Sequence, residues 1–549
     1  MRGLPGPLSR ATAIAMVALS VPLVLAGPGA FGAVRAASTP AGDSSWTVYH
    51  GDAAGSGVSN SVAAVATSAR AWSSPALDGQ LYGEPLVSGA DVYVATEDDT
   101  VYALSSSSGA VVWSTHIASP VPASALPCGD ITPSVGITGT PVIDPARSEI
   151  FVVADEFVSG SPEHKLVGLS TTSGAIETTV DVDPPGADPA ALLQRTGLTI
   201  DAGQVVFGMG GNDGDCATYR GRVVAVAEAG GSPTFFTVDA AAGDDQGAIW
   251  MGGAAPVVDG NGDIWVAAGN GSVYSASEPY DDSDSALELS SSLQLLQYFA
   301  PTTWPQNNAH DLDMSVAPAL LPDDQVLLAG KSRIAYLLDG AHLGGIGSPE
   351  ASLANACSAD IAGGSAVVGT TVYLPCPSGP VAVGVTASPA SLTLLWTAQV
   401  GGGPPIVAAG LVWTIGQDGT LYGLDPATGA VQQQASIGVP ANHFPTPSVG
   451  DGLLLAPSSN VVVAFHATPS TTPASTTPTS SPSTSSPSTS STPTTSTTVP
   501  PSNAAGASGS SSGGGTSPGE IAGIVVGGAI VLGGAGWLLL RRRRRSARP

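Results

Sequence analysis

Between Gly83 and Trp113 the chain reads GEPLVSGADVYVATEDDTVYALSSSSGAVVW, and between Pro404 and Gln433 it reads PPIVAAGLVWTIGQDGTLYGLDPATGAVQQ. Each copy opens on Gly or Pro and gives a β-branched and aromatic strand (Val92-Tyr93-Val94, Leu411-Val412-Trp413). A polar turn, a second strand and a Gly turn follow. Alternation of this kind, with abundant Gly and few charged helix formers, is a strand pattern. Further copies start near residues 139, 196, 253, 315, 363 and 445, which makes about eight units. A repeat of about 40 residues holding several short strands predicts an all-β propeller, because one unit cannot bury its own faces. The last unit, Pro445–His466, offers three strands. The run Ala69–Leu77, whose Trp72-Ser73 echoes Trp113-Ser114 and Trp396-Thr397, is expected to supply the fourth and to leave no open edge.

Outside the repeats the chain changes character. Residues 1–36 carry Arg2 and Arg10, an apolar run Ala11–Leu25 and small residues before Ala36, the pattern of a secretory signal. Residues 37–466 are assigned to the propeller. Residues 467–518 are almost wholly Ser, Thr, Pro, Gly and Ala, which predicts a disordered stalk. Residues 519–540 include the apolar run Ile521–Leu540, long enough for one transmembrane helix. The basic tail 541–549 places that end in the cytoplasm, so the expected address is the cell membrane, single-pass, with the propeller extracellular.

Eight of the 17 Lys and Arg residues, against 42 of the 43 Asp and Glu residues, lie in 37–466, so that segment carries about −34. Such a charge argues against nucleic acid as a partner, since phosphates require the opposite sign. A protein, a glycan or a small molecule remains as ligand. The four cysteines lie in the exported part, where disulfides persist. Three pairings are possible; proximity within one repeat favours Cys357–Cys376, leaving Cys128–Cys216.

The turn Ala103–Trp113 resembles the docking motif of the pyrroloquinoline quinone (PQQ) propellers, with Ser105 in place of the usual Asp. Gly423–Gln433 keeps Asp425, Thr428 and Gly429 but ends on Gln where the Trp would stand. Gly247–Asn270 and Ala309–Asp339 resemble segments of quinoprotein alcohol dehydrogenases. That resemblance implies Trp250 as a floor for the quinone, Asn270 as a calcium ligand and Asp313 (alternatively Asp311) as catalytic base and further ligand. It also implies Lys331 as a cation touching the quinone. Gly210–Arg222 resembles their turn with a calcium-binding Glu, here offering Asp213 or Asp215. A Ca²⁺ there would polarise the quinone carbonyl while the carboxylate takes the alcohol proton.

Against this stand the lack of adjacent cysteines, Leu312 in place of a Trp before Asp313, and no haem-attachment C-x-x-C-H. Each candidate also has a structural explanation: core packing for Trp250, turns for Asn270, Asp213 and Asp215, a buried ion pair for Lys331. Asp259-Gly260-Asn261-Gly262-Asp263 reads as a hairpin turn. Three functions therefore compete: a non-catalytic binding, scaffold or receptor-type module; a PQQ- and calcium-dependent dehydrogenase of alcohols or sugars; and a propeller with a purely structural metal site.

Overall fold

The computed structural model describes residues 45–470 apart from positions 239, 241, 242 and 348. The expected signal, transmembrane helix, tail and stalk beyond Ser470 lie outside them. Eight sheets follow one another around the ring. Their innermost strands are Leu86–Ser88, Val142–Asp144, Thr199–Asp201, Val257–Val258, Ala319–Leu320, Ala366–Val368, Ile406–Ala408 and Ser448–Gly450, which define blades 1 to 8. Each begins two to four residues after the repeat start seen in sequence. Within a blade the strands run antiparallel in chain order, and blade 1 shows the pattern. Its middle strands Asp91–Ala95 and Thr100–Ser105 are largely buried, whereas its outer strand Val111–His116 is exposed on alternate residues. Among the described residues no helix is long and apolar enough to cross a membrane.

Closure is made by the chain's early segment. Trp72–Ser73 pairs antiparallel with Val463 and Ala464 of the last strand, Val461–Pro469. Hydrogen bonds from the backbone N–H of Ala71, Ser74 and Leu77 extend that contact. The last strand continues past His466 to Pro469 because Val62–Val65 pairs with its end, so the propeller runs three residues beyond the boundary drawn from composition.

Neighbouring blades are locked by tryptophans at three joints. Trp72 Nε1 donates to Ser106 O at 2.6 Å, Trp113 Nε1 to Thr171 O at 2.9 Å and Trp396 Nε1 to Pro426 O at 2.9 Å. Each indole lies on a glycine of the next blade's turn: Gly109, Gly174 and Gly429. Those glycines all have φ +69°, a left-handed conformation that an L side chain adopts at a cost. Both disulfides, Cys128–Cys216 and Cys357–Cys376, are formed.

The segment Trp46–Ser59, which carries no repeat pattern, crosses the axis. Trp46 exchanges two backbone hydrogen bonds with Val87 of blade 1, and Ile143 N of blade 2 donates to Thr47 O. Val258 N of blade 4 donates to Ala53 O, Val367 N of blade 6 to Ser56 O and Val407 N of blade 7 to Gly57 O. A stretch this short can reach the inner strands of five blades only by spanning the channel. It therefore plugs it. His50 is wholly buried in the plug, stacked on Tyr49 with ring centroids 4.3 Å apart. Burial lowers its pKa to about 4, so it is neutral.

Candidate functional site: the axial cup

Each propeller blade is entered through a loop facing the axis, and four such loops carry the polar groups of one cup. Arg195, Trp250, Asp313 and Asn442–Phe444 precede the innermost strands of blades 3, 4, 5 and 8. A few residues further along these loops and the blade 6 entry, Gly197, Ala255, Ala317 and Gly364 meet Tyr49 or the cavity around it. The loops thus stand above the plug, and the channel is closed beneath them.

Asp313 is delivered by a short helix, Trp304–His310, that ends at Asp311 in the left-handed conformation (φ 59°). Asn308 on that helix accepts from Gly271 N and donates to Val273 O, which ties it to the loop after blade 4's Gly269-Asn270. Asp313 is 6% exposed. Its Oδ1 accepts from Asn270 N at 2.8 Å, and its Oδ2 lies 2.6 Å from Lys331 Nζ. Gly269 permits this approach, since a Cβ there would stand 2.8 Å from Asp313 Oδ1. Lys331 Nζ also donates to Asp311 Oδ1 at 3.1 Å and lies over the Trp250 ring, 5.3 Å from its centroid. Asp313 and Asp311 hold Lys331 strongly protonated although burial opposes this.

Trp250, Asn270, Asp311, Asp313 and Lys331 are thus brought together. Asp215 borders them: its residue surface is exposed, but desolvation raises its carboxyl to about 6, with the charges of Asp313 and Asp311 adding. Tyr219 Oη donates to it at 2.8 Å. Asp213 is exposed on the same turn, which the Cys128–Cys216 disulfide anchors. Asp259 stays in its hairpin, where its Oδ1 accepts from Asn261 N and Asp263 N.

Residues that the motifs did not indicate complete the cup. Arg195, 9% exposed, donates from Nη2 to Asn442 Oδ1 at 2.9 Å. Its guanidinium lies 5.8 Å from the ring centroids of both Tyr82 and Phe444. Gly253 makes room, because a Cβ there would stand 2.5 Å from Nη1. No carboxylate among the described residues comes within 4.0 Å of this guanidinium. Phe444 in turn meets Trp250, with centroids 6.0 Å apart. The wall therefore runs ring, cation, ring, ring, cation: Tyr82, Arg195, Phe444, Trp250, Lys331. A cation beside an aromatic face is retained without a counter-ion better than one in bare hydrocarbon. The one signal in sequence was scarcity, since Arg195 is among eight cations facing 42 acids.

The donor set fits a quinone with calcium only in part. Asn270 Oδ1 is buried without a hydrogen-bond partner among the described residues, and an amide oxygen suits a hard cation. Asp313, however, already spends one oxygen on Asn270 N–H and the other on Lys331. The ammonium also lies over the Trp250 face that a flat ring would use. As arranged, the site does not fit the pair.

This architecture, with tryptophan-docked blades around a polar axial cup, defines a PQQ-like β-propeller. The fold is that of the PQQ-like propellers. Residues 30–293 match the family model described as outer membrane protein assembly factor BamB. Quinohemoprotein alcohol dehydrogenase ADHIIG from Pseudomonas putida HK5 is similar in fold, with TM-score 0.59 and 14% identity over 80% of this chain and 82% of that one. So is quinohemoprotein alcohol dehydrogenase from Comamonas testosteroni, with TM-score 0.57 and 16% identity over 77% and 80%. A europium-containing methanol dehydrogenase gives TM-score 0.56 and 13% identity over 77% and 98%. No curated protein matches the chain in sequence. At these identities the likeness concerns the fold.

Proposed function

We propose that the protein is held at the cell surface by a single C-terminal membrane anchor and binds a ligand in the axial cup without turning it over. The observation that carries this reading is the position of Lys331. One ammonium bridges Asp311 and Asp313 and covers Trp250, so the acid that would take a substrate proton and the ring that would carry a flat cofactor are both engaged. What the cup offers instead is recognition. Rings supply apolar faces, and Arg195 supplies guanidinium donors in a water-poor setting where a charge-assisted hydrogen bond is strong. The favoured ligand is a small anionic molecule or an acidic group on a glycan or protein. Calorimetric titration of the full-length protein with a panel of acidic and neutral saccharides tests this. Binding of acidic members that is lost in Arg195→Gln supports it; equal binding of neutral and acidic members contradicts it.

A second reading, PQQ- and calcium-dependent oxidation of an alcohol or sugar, is favoured by the unpartnered oxygen of Asn270 beside Asp313. It requires Lys331 to release Asp313. Dye reduction in the presence of PQQ and Ca²⁺, abolished by Asp313→Ala, would establish it.

A further inference from the structure

The hairpin turn Asp259-Gly260-Asn261-Gly262-Asp263, which the cup does not use, gathers acidic side chains from two blades. It joins the blade 4 strands Val257–Val258 and Ile264–Ala268, so it lies at the other end of the inner strand from Trp250. Gly262 turns the chain at φ +85°, and Asp259 Oδ1 accepts from Asn261 N and Asp263 N. Glu288, on the next strand, pairs opposite Trp265. Asp263 stands two residues before Trp265, so Asp263, Trp265 and Glu288 share one face of the sheet. Trp265 Nε1 donates to Asp259 Oδ2 at 3.3 Å. One carboxylate oxygen each of Asp259, Asp263 and Glu288 then lie within 4.8 Å of one another.

Two further observations point to a ligand there. Glu288 is 7% exposed, yet its carboxylate is aimed at the two aspartates. The amide beside it, Gln297, gives its Nε2 to Gly340 O at 2.7 Å and accepts from Leu343 N at 2.8 Å. Asp201, the last residue of the blade 3 strand Thr199–Asp201, reaches the same turn: a Cβ on Gly262 would stand 3.6 Å from its Oδ1. Asp201 Oδ2 is a buried atom without a hydrogen-bond partner among the described residues, and such an atom calls for a ligand or a proton. Burial raises the carboxyls of Asp201 and Glu288, and the charges of Asp263 and Asp259 add to it. No Lys, Arg or His nitrogen among the described residues lies within 4.0 Å of any of the four acids.

We infer that Asp259, Asp263 and Glu288, with Asp201 from blade 3, form a calcium site that ties blade 3 to blade 4. The donors are all oxygen, which is the preference of Ca²⁺ and not of zinc. Oxygens sit at about 2.3–2.6 Å from Ca²⁺, so opposite ligands stand about 5 Å apart. Oxygens within 4.8 Å of one another therefore fit one such sphere. Mg²⁺, with oxygens at about 2.0–2.1 Å in a strict octahedron, needs a tighter set. Asp259 keeps a lone pair on Oδ2 beyond the Trp265 hydrogen bond. Water and the exposed Asn261 are left to complete the shell. The site shares no residue with the cup.

Its test is Ca²⁺ binding and melting of the full-length protein in detergent, stripped with EDTA, gel-filtered and titrated with Ca²⁺. A partly open site of this kind should fill at about 10⁻⁴–10⁻³ M, with a rise in Tm over the same range. Glu288→Gln and Asp263→Asn should each weaken binding by at least about tenfold, the least that disturbing a metal's surroundings usually costs. Asp201→Asn should weaken it too, and Asp313→Asn, in the cup, should leave it unchanged. In EDTA, Glu288→Gln and Asp263→Asn should melt no lower than wild type, because each removes a like charge. A wild type that takes up no Ca²⁺ over this range would overturn the proposal, as would unchanged affinity in both Glu288→Gln and Asp263→Asn. So would variants that already melt well below wild type in EDTA, the mark of carboxylates held by the protein alone.

Discussion

Removing the indole of Trp72 tests how the ring is closed. This side chain belongs to the early strand Trp72–Ser73 that pairs with Val463 and Ala464 of the last strand, and it is buried on the turn of blade 1. Truncating a buried Trp to Ala costs about 3–5 kcal/mol. Here the upper half of that range is expected, because Ser106 O also loses the donor 2.6 Å away. Trp72→Phe keeps most of the packing and should cost about 1–2 kcal/mol, near the value of one buried hydrogen bond. Gly109→Ala would place a Cβ 2.4 Å from Trp72 Cε3 at a backbone of φ +69°. In the wild type that adds overpacking of about 1–3 kcal/mol to a left-handed backbone penalty of about 1 kcal/mol. In the Trp72→Ala background the overpacking disappears and the backbone penalty remains. Urea unfolding of the four proteins should therefore show a coupling of at least about 1 kcal/mol. If the two changes add within about 0.5 kcal/mol, the docking argument is wrong.

Other consequences can be measured with similar means. Arg195→Met removes a buried charge with no carboxylate partner, so unfolding free energy should stay level or rise by about 1 kcal/mol while binding of acidic ligands disappears; a large loss of stability would show that the guanidinium is structural. Gly364→Ala would set a Cβ 2.6 Å from both His50 Cε1 and Tyr49 Cε1, so it should cost about 1–3 kcal/mol by pushing on the plug, read from the urea midpoint. In EDTA, stability should fall steadily from pH 5 to pH 9. Burial raises Glu97, Asp99 and Asp155 to about 8, 10 and 7, and the charges of Asp155 and Asp183 raise His164 to about 9 against its own burial. In that window the folded state retains protons that the unfolded chain has released, so the slope of stability against pH is negative. Urea midpoints that hold level or rise between pH 5.5 and 8.5 would contradict these assignments.

Much of the ring was legible because its determinants are local. The β-branched strands and Gly turns recur in each unit, and the inner strands start two to four residues after the repeat starts. The pairing of Trp72 with Ala464 was readable because the early chain copies the Trp-Ser of the blade 1 outer strand. The cup was legible only where a motif carried it, at Trp250, Asn270, Asp313 and Lys331. That Lys331 would bridge both acids over the indole depends on the left-handed end of Trp304–His310 and on the hairpin before Arg333, which no spacing reveals. Arg195, Asn442 and Phe444 come from loops more than 200 residues apart and meet only when the ring closes. The plug was invisible for a related reason: Trp46–Ser59 has no periodicity, and its partners are strands of five different blades. Glu97 and Asp99 lie in the polar turn of the first repeat, and their burial has no signal in the repeat pattern.

The reading of the cup as a binding site stands or falls on one assay. Full-length protein is incubated with PQQ and Ca²⁺, freed of excess cofactor, and mixed with an artificial electron acceptor across alcohols and sugars. The Lys331 bridge predicts no substrate-dependent dye reduction, with Asp313→Ala indistinguishable from wild type. Dye reduction that requires an alcohol or sugar and vanishes in Asp313→Ala would contradict it and make the cup a catalytic site.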